Sequence, residues 1–179
     1  RAYESLNWKE GPSLVDFYEA NSKINIPSNF SILEEAEAQQ LLYWLNGTSF
    51  DYINIYATDY DGAQYMFYYT DSGYVKTDDW TDVDPNKFIK EIQENYKVSN
   101  ETRKKNGQAT VVNVSWKKKP YLDGVYNSVY YALNVQWSDS TSTTEGTAII
   151  LGREGYTTGK YVAGNNGYQE QMLLNLSKM

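Results

Sequence analysis

The second half of the chain is a series of strand-like segments separated by short turns, and this feature constrains the fold most. The segments span residues 110–116, 125–137, 146–151 and 156–163, and apolar residues alternate with polar ones along the longest of them. Strands joined by short turns must be antiparallel neighbours, because a parallel pair needs a long crossover connection. The sequence therefore predicts a meandering antiparallel sheet.

A first helix is predicted over residues 31–46. Ser31 and Glu34 have the spacing of a capping box, in which two side chains satisfy free amide groups of the first helical turn. Apolar residues then recur at helical spacing, which indicates one face turned toward a core. Gly47 follows them and suits the left-handed position at the end of a helix.

A second helix is predicted from Asp84, because this N-cap aspartate is followed by proline at the first helical position. Alternating residues at 52–69 predict a hairpin between the two helices, and 169–176 is interpreted as a short closing helix. The segment 6–26 is interpreted as irregular structure that leads into an edge strand. The predicted class is therefore α+β, with a largely meandering antiparallel sheet and two main helices packed on it.

The long strand 125–137 is expected to supply one wall of the core. Residues at every second position of a strand share one face. We expect this face to lie opposite Ile53, Ile55 and the apolar stripe of the second helix. Its residues are Val125, Val129, Tyr131, Leu133 and Val135.

The composition excludes several classes of chemistry. The chain of 179 residues contains neither Cys nor His, which rules out disulfides, a thiol nucleophile, thiolate or imidazole metal sites and a histidine base. With 16 basic and 23 acidic residues its net charge is −7, so we predict no nucleic-acid partner. No run of about 18 apolar residues occurs, so no membrane span is predicted in this chain. Its length is that of one domain, which we place at residues 1–179.

Acidic residues gather in the predicted turns, and their spacing argues against a calcium site. Counted from Asp59 or from Asp82, the glycine and the final glutamate that an EF-hand loop needs are both replaced by other residues. We therefore predict no metal and no cofactor. Two carboxylates about 5–9 Å apart could still hydrolyse glycans, and among 23 acidic residues a close pair is expected by chance.

Basic residues gather at 103–105 and at 117–119, and we interpret them as one local basic patch. Such a patch on an acidic protein could dock an acidic partner or anionic headgroups. A solvated helix end and a solvated loop explain the same residues. The lysines of the second run would also protect the edge of strand 110–116 against aggregation.

Five short blocks follow one another along the chain. They are 6–12 with Trp…Gly-Pro, 24–30 before the first helix, 71–80 with Gly-Tyr-Val…Asp-Asp, 100–107 with Asn-x-x-Arg…Gly, and 114–121 with Trp…Pro-Tyr. Their order and spacing resemble a bacterial family of predicted membrane-anchored proteins whose domain has no assigned function. The resemblance covers a core of about residues 6–163.

The resemblance implies a location rather than an activity. Members of the family carry a signal peptide before this domain and a membrane helix after it. We therefore expect an extracytoplasmic protein of the periplasm or cell envelope, either an excised ectodomain or a secreted relative. Where the family has a histidine this chain has Asn127, so the resemblance implies no proton transfer at that position.

The family-like blocks also supply the candidate binding residues. Asp78 and Asp79 stand before the second helix, where they are expected to brace the preceding turn. Aromatic side chains bind by stacking and hydrogen bonding without breaking bonds in a ligand. The candidate binding residues are Tyr74, Asp78, Asp79, Trp80, Arg103, Trp116 and Tyr121.

We predict from these observations a non-enzymatic extracytoplasmic domain that binds a protein or an envelope component. No catalytic residue is assigned, because no His or Cys is present to titrate near neutral pH. Two alternatives stay open: a structural subunit that assembles with copies of itself through a strand edge, and a carboxylate-based hydrolase acting on glycans. Whether the chain forms a homo-oligomer is also left open.

Overall fold

The antiparallel sheet that the short turns indicate is present, and helices pack on it. The computed structural model describes residues 2–76, 78–123, 127–164 and 168–176, and these residues confirm the α+β class. The strands are β1 (Lys9–Glu10), β2 (Ser13–Phe17), β3 (Ser22–Ile26), β4 (Phe30–Glu34), β5 (Ile55–Asp59), β6 (Gln64–Thr70), β7 (Val111–Asp123), β8 (Ser128–Trp137), β9 (Ser142–Leu151) and β10 (Tyr156–Ala163). The α-helices are α1 (Glu35–Asn46), α2 (Asp78–Thr81), α3 (Pro85–Lys105) and α4 (Tyr168–Leu176).

Two antiparallel meanders make one sheet of eight strands in the order β1-β4-β5-β6-β10-β9-β8-β7. The strands β4 to β6 form the first meander and β7 to β10 form the second. They join where β10 pairs with β6, with Gly159 opposite Phe67. The strands β2 and β3 form a separate two-stranded sheet.

Other elements pack on both faces of the large sheet. The helices α1 and α3 pack on one face, which we call the helix face. The hairpin β2–β3 and the helix α4 pack on the other, which we call the hairpin face. The hairpin contributes Val15, Phe17, Ile24 and Ile26 to the core, and each of these side chains is almost fully buried. The prediction of irregular structure is therefore wrong for β2, whereas the strand expected at the end of the segment 6–26 is present as β3.

Burial on both faces also changes the interpretation of the long strand, now β8. Leu133 and Val135 do lie on the helix face against α3, as predicted. The alternate residues Tyr130 and Ala132 are equally buried, because the hairpin face is a second core. Ile55 belongs to that second core, so its predicted place opposite Leu133 is wrong. Val125 lies outside the described residues.

The first helix begins at Glu35, and the predicted start at Ser31 is wrong. The residues Phe30–Glu34 form β4 instead, between β1 and β5. Hydrogen bonding on both sides and burial of Phe30 and Ile32 outweigh the local capping signal. The Ser31 hydroxyl donates to the Glu10 carboxylate at 2.9 Å rather than capping the helix.

The other helix ends agree with the sequence. The Asp84 carboxylate accepts the backbone N–H of Asn86 at 2.9 Å, which is an N-cap, and α3 continues to Lys105. Gly47 closes α1 with a φ of 69°, a left-handed conformation that glycine adopts without strain. The closing helix is α4.

Candidate functional site

The helices leave the centre of the helix face open. The helix α1 packs over β4 and β5 at one side of the sheet, and α3 packs over β7 and β8 at the other. The helix face of β6, β10 and β9 lies between them, and we call this strip the central groove. Its side chains stand on strands that are paired on both sides, so their positions are rigid.

A cavity of about 240 Å³ lies at one end of the central groove. Its walls are mainly aromatic, from Tyr68, Trp80, Tyr131 and Tyr156, with Ile149 and Leu151 beside them. Thr147, Thr158 and Lys160 add polar groups to those of the aromatic side chains. We call it the Lys160 cavity, because Lys160 supplies the cation that lines it.

The β-sheet register explains how these residues converge. Lys160 on β10 is opposite Met66 on β6 and opposite Thr147 on β9. Thr147 is in turn opposite Tyr131 on β8. Directly opposite residues on one face have Cβ atoms about 4.5–5.5 Å apart. The pairing of four strands therefore places Lys160, Thr147 and Tyr131 in one row across the groove.

Lys160 carries a charge that no described residue pairs at hydrogen-bond or ion-pair distance. Within the described residues its ammonium group makes no hydrogen bond and no ion pair, whereas Lys118 bonds Glu170 at 2.7 Å. Burial acts to lower the pKa of Lys160, but the nearby Tyr68 and the Glu145 carboxylate act to raise it. The pKa lies above its ordinary value, so Lys160 is cationic at neutral pH.

Glu145 is the acidic group of the central groove. The Tyr96 hydroxyl donates a hydrogen bond to its carboxylate from α3. Burial raises the pKa of Glu145, while the Tyr96 bond and the positive charges of Lys160 and Arg103 act to lower it. Burial wins, and the pKa of Glu145 stays above its usual range.

A second cavity of about 290 Å³ lies beside Tyr96. The Arg103 guanidinium carbon sits 4.7 Å from the centre of the Trp137 ring, a cation–π contact. Its Nε also donates to the carbonyl of Ala109 at 2.6 Å, which holds the side chain in place. Phe50, from the segment between α1 and β5, forms part of the wall.

Three of the candidate binding residues lie on the helix face. Trp80 lines the Lys160 cavity and Arg103 lines the second cavity. The ring centres of Trp116 and Tyr131 lie 5.8 Å apart. The indole N–H of Trp116 donates a hydrogen bond to the carbonyl oxygen of Pro85 at 3.2 Å. Trp116 therefore packs against Tyr131, one of the residues that line the Lys160 cavity.

The remaining candidates do not join them. Tyr74 is 70% exposed, and Asp78 and Asp79 are exposed on the short helix α2. Tyr121 lies on the hairpin face, where the ring centres of Tyr121 and Tyr130 are 5.8 Å apart. The Lys118 ammonium nitrogen lies 4.7 Å from the centre of the Tyr121 ring. The structure thus does not gather the seven residues into one site, and their binding roles stay predictions.

The interpretation of the basic residues as one patch is wrong. Asn100 near the end of α3 bonds Val111 at the start of β7, whereas Trp116 bonds Pro85 at the beginning of the helix. The cations 103–105 and 117–119 therefore lie toward opposite ends of a 21-residue helix. At a rise of about 1.5 Å per residue this helix is about 30 Å long.

Sequence reasoning missed Lys160 and Glu145. Lys160 stands in the predicted strand 156–163, whereas Glu145 lies just before the predicted strand 146–151, because β9 begins earlier, at Ser142. The sequence pattern did not show that either strand is central. The sequence does contain an indication that Lys160 is unusual. Thr158 and Lys160 stand two positions apart, so they share one strand face, in a segment rich in residues of high strand propensity. A lysine on a central strand is unusual, because lysine is almost never buried without a partner.

Two further results concern the part of the chain that the structure describes. Its acidic side chains form no group of three or more that could hold a metal ion. None of its helices combines the length and the apolar character that crossing a membrane requires.

Changing Glu145 to Gln should alter how stability depends on pH. Because the pKa of Glu145 is raised by folding, the folded state binds a proton more readily than the unfolded state. The wild-type protein therefore loses stability as the pH rises above 4.5, the ordinary pKa of a glutamate, while the Gln variant does not. In urea unfolding, the stability of the Gln variant relative to wild type should increase from pH 4 to pH 8.

The matched control is Glu91→Gln, which removes one exposed acidic charge from α3. Its stability relative to wild type should vary much less over the same pH series. A stability difference for the Glu145 variant that stays constant with pH would contradict the assignment of a desolvated carboxylate.

Three comparisons relate the chain to known proteins. The search of curated proteins found no match. Among solved structures, the chain is similar to the solution structure of cyanobacterial PsbP (CyanoP) from Synechocystis sp. PCC 6803. The TM-score is 0.46 and the identity is 16%, over 93% of this chain and 91% of that chain.

A family profile described as "Protein of unknown function (DUF2167)" matches residues 9–176. The match starts close to the first of the five sequence blocks and includes all of β1 to β10 and α1 to α4. It confirms the resemblance to a family of unknown function that those blocks indicated. The chain belongs to this family.

Proposed function

We propose that the chain is a non-enzymatic extracytoplasmic domain that binds a protein or an envelope component in the central groove. The observation that carries this proposal is the Lys160 cavity, a concave site with aromatic walls and a few convergent polar groups. This is the usual make-up of a ligand site. Its volume of about 240 Å³ suits one side chain or one sugar unit of a larger partner.

Binding without turnover agrees with the electrostatics of the groove. A carboxylate-based glycosidase needs a second carboxylate near the first. The charged groups that act on the pKa of Glu145 are the cations Lys160 and Arg103. We therefore assign Glu145 to the electrostatics of the binding groove and give it no catalytic role.

Self-assembly through the large sheet is less well supported than partner binding. One edge strand, β1, has only two residues. The other, β7, has backbone groups that α3 already occupies: Asn100 bonds the N–H and the carbonyl of Val111, and Gln93 bonds the carbonyl of Val114. Short or covered edges protect a sheet against pairing with another chain.

The extracytoplasmic location in this proposal comes from the resemblance of the sequence blocks to predicted membrane-anchored proteins. The partner is accordingly sought in the cell envelope.

Site-directed photo-crosslinking tests the proposal. Tyr52 marks the rim of the groove, since it is 52% exposed and its ring centre lies 5.0 Å from that of Tyr68. A photoreactive residue is introduced at this position. Exposed to an envelope extract, the protein should form a discrete crosslinked product, and Trp80→Ala should reduce its yield at least several-fold. The same probe at Tyr18, which is 80% exposed beside the hairpin, should not form that product.

Equal crosslinking from both positions, or a product that Trp80→Ala leaves unchanged, would contradict binding in the groove. Far-ultraviolet circular dichroism of each variant checks that it is folded. Glycan hydrolysis by the purified protein, lost on Glu145→Gln, would support the hydrolase alternative instead.

A further inference from the structure

We infer that the Lys160 cavity binds a carboxylate group carried on a ring, with Lys160 as the cation that pairs with it. The inference deepens the proposed function, because it names the ligand chemistry of the same site. It is argued from four observations: the unpaired ammonium, the limited set of other donors, the neighbouring acid, and the aromatic walls.

The ammonium group points to an anion. Lys160 is partly buried on the central strand β10 and, among the described residues, its charge has no hydrogen-bond or ion-pair partner. Charges in such positions are normally paired, since water cannot solvate them fully. A ligand carboxylate in the cavity would provide the missing partner at charge-assisted hydrogen-bond distance.

The donor set favours a carboxylate over a phosphate. Phosphate sites commonly use several backbone N–H groups, a helix N-terminus or an arginine fork. Here β10 is paired with β6 and β9 on its two sides, so its backbone amides are occupied. Apart from Lys160, the side chains with donor groups that line the cavity are neutral: two threonines, three tyrosines and Trp80.

Glu145 strengthens this preference. It stands two positions before Thr147 on the same face of β9, and Thr147 is opposite Lys160, so its carboxylate adds a negative charge beside the cavity. A dianionic group would therefore meet repulsion from Glu145 that one cation only partly offsets. A single negative charge balances Lys160 with less repulsion.

The walls indicate what carries the carboxylate. The rings of Trp80, Tyr131 and Tyr156 line the cavity, together with Ile149 and Leu151. Flat bodies stack on such rings, whether they are aromatic or the apolar face of a sugar. A cavity of about 150 Å³ accommodates benzene, so about 240 Å³ accommodates a six-membered ring with its carboxylate.

Two sources share this chemistry, an aromatic acid and an acidic sugar. The probes are therefore sodium benzoate and sodium glucuronate, each added at millimolar concentration to the isotope-labelled protein. We expect saturable shifts of amide signals from β10, β9 and β8 with at least one probe, and the stronger probe identifies the source. Benzamide, which has the ring without the charge, should bind at least ten-fold more weakly than benzoate if the aromatic acid is the source.

Variants assign the binding to Lys160. Lys160→Met should weaken binding of the acid at least ten-fold, while Lys160→Arg, which keeps the charge, should retain most of it. Lys119→Met removes an exposed lysine from β7 and should leave the affinity unchanged. The amide spectrum of each variant shows directly that it is folded.

Three results would overturn the inference: no saturable shift with either acid, equal affinity in Lys160→Met, or tighter binding of inorganic phosphate than of both acids. These outcomes are separable from the crosslinking test. A crosslinked partner without a saturable shift from either acid would leave groove binding standing and reject the carboxylate. Acid binding without any crosslinked partner would retain the carboxylate site and reject the envelope partner.

Discussion

Replacing Leu133 with Ala is expected to lower the free energy of unfolding by about 2–5 kcal/mol. Leu133 is 5% exposed and packs with Val114 and Val135 beneath α3. Truncation removes apolar burial and leaves a space that the paired strands β7, β8 and β9 cannot close. Chemical denaturation of the variant and the wild type measures the difference.

The control for this prediction is Val112→Ala on β7. Val112 is 62% exposed, so its truncation should change stability by no more than about 0.5 kcal/mol. A Leu133→Ala variant as stable as the control would mean that the contact between α3 and the sheet contributes little to the core.

Gly146→Ala is expected to destabilise the protein by about 1–3 kcal/mol or more, through overpacking. A Cβ atom on Gly146 would lie 2.0 Å from a ring carbon of Tyr161, its cross-strand partner on β10. The Tyr161 ring cannot move easily, because it is 1% exposed and its hydroxyl pairs with that of Tyr130 at 3.2 Å. Thermal or urea unfolding measures the loss.

Two variants complete this test. Gly164→Ala is the control, since a Cβ atom there meets nothing within 4 Å, and its effect should stay within about 0.5 kcal/mol. Tyr161→Leu removes the ring, so adding Gly146→Ala to it should cost less than adding Gly146→Ala to the wild type. Strict additivity of the two changes would contradict a direct clash.

The same arrangement occurs once more beside it. Gly159 on β10 is opposite Phe67 on β6, and a Cβ atom on Gly159 would lie 2.9 Å from the Phe67 ring. Each glycine leaves room for an aromatic ring on the neighbouring strand. These two pairs pack β10 against β9 on one side and against β6 on the other, and β10 is the strand that presents Lys160 to the central groove.

Features that depend on a few consecutive residues could be predicted from the sequence. The Asp84 cap and the end of α1 at Gly47 are examples. Each is decided by the backbone preference of one residue or by a hydrogen bond across two to four positions. The antiparallel class followed for a related reason, because short turns allow no other pairing.

Features that depend on distant partners could not be predicted in this way. The segment at Ser31 has the local signal of a helix start, yet strands β1 and β5 hydrogen-bond it on both sides and make it β4. Tyr130 and Ala132 on β8 are buried as well, because they belong to the core of the hairpin face, to which β2, β3 and α4 contribute. Tertiary pairing and burial outweigh local propensity at such positions, since each contributes more free energy than a single cap.

The candidate site belongs to the second group. Lys160, Thr147 and Tyr131 come from β10, β9 and β8, and Tyr68 comes from β6 in the other meander. Composition determined which side chains were available, with no His and no Cys and with many tyrosines. Only the insertion of β10 between β6 and β9 decided that one lysine would stand at the centre of the sheet, because strand order is set by contacts between residues far apart in sequence.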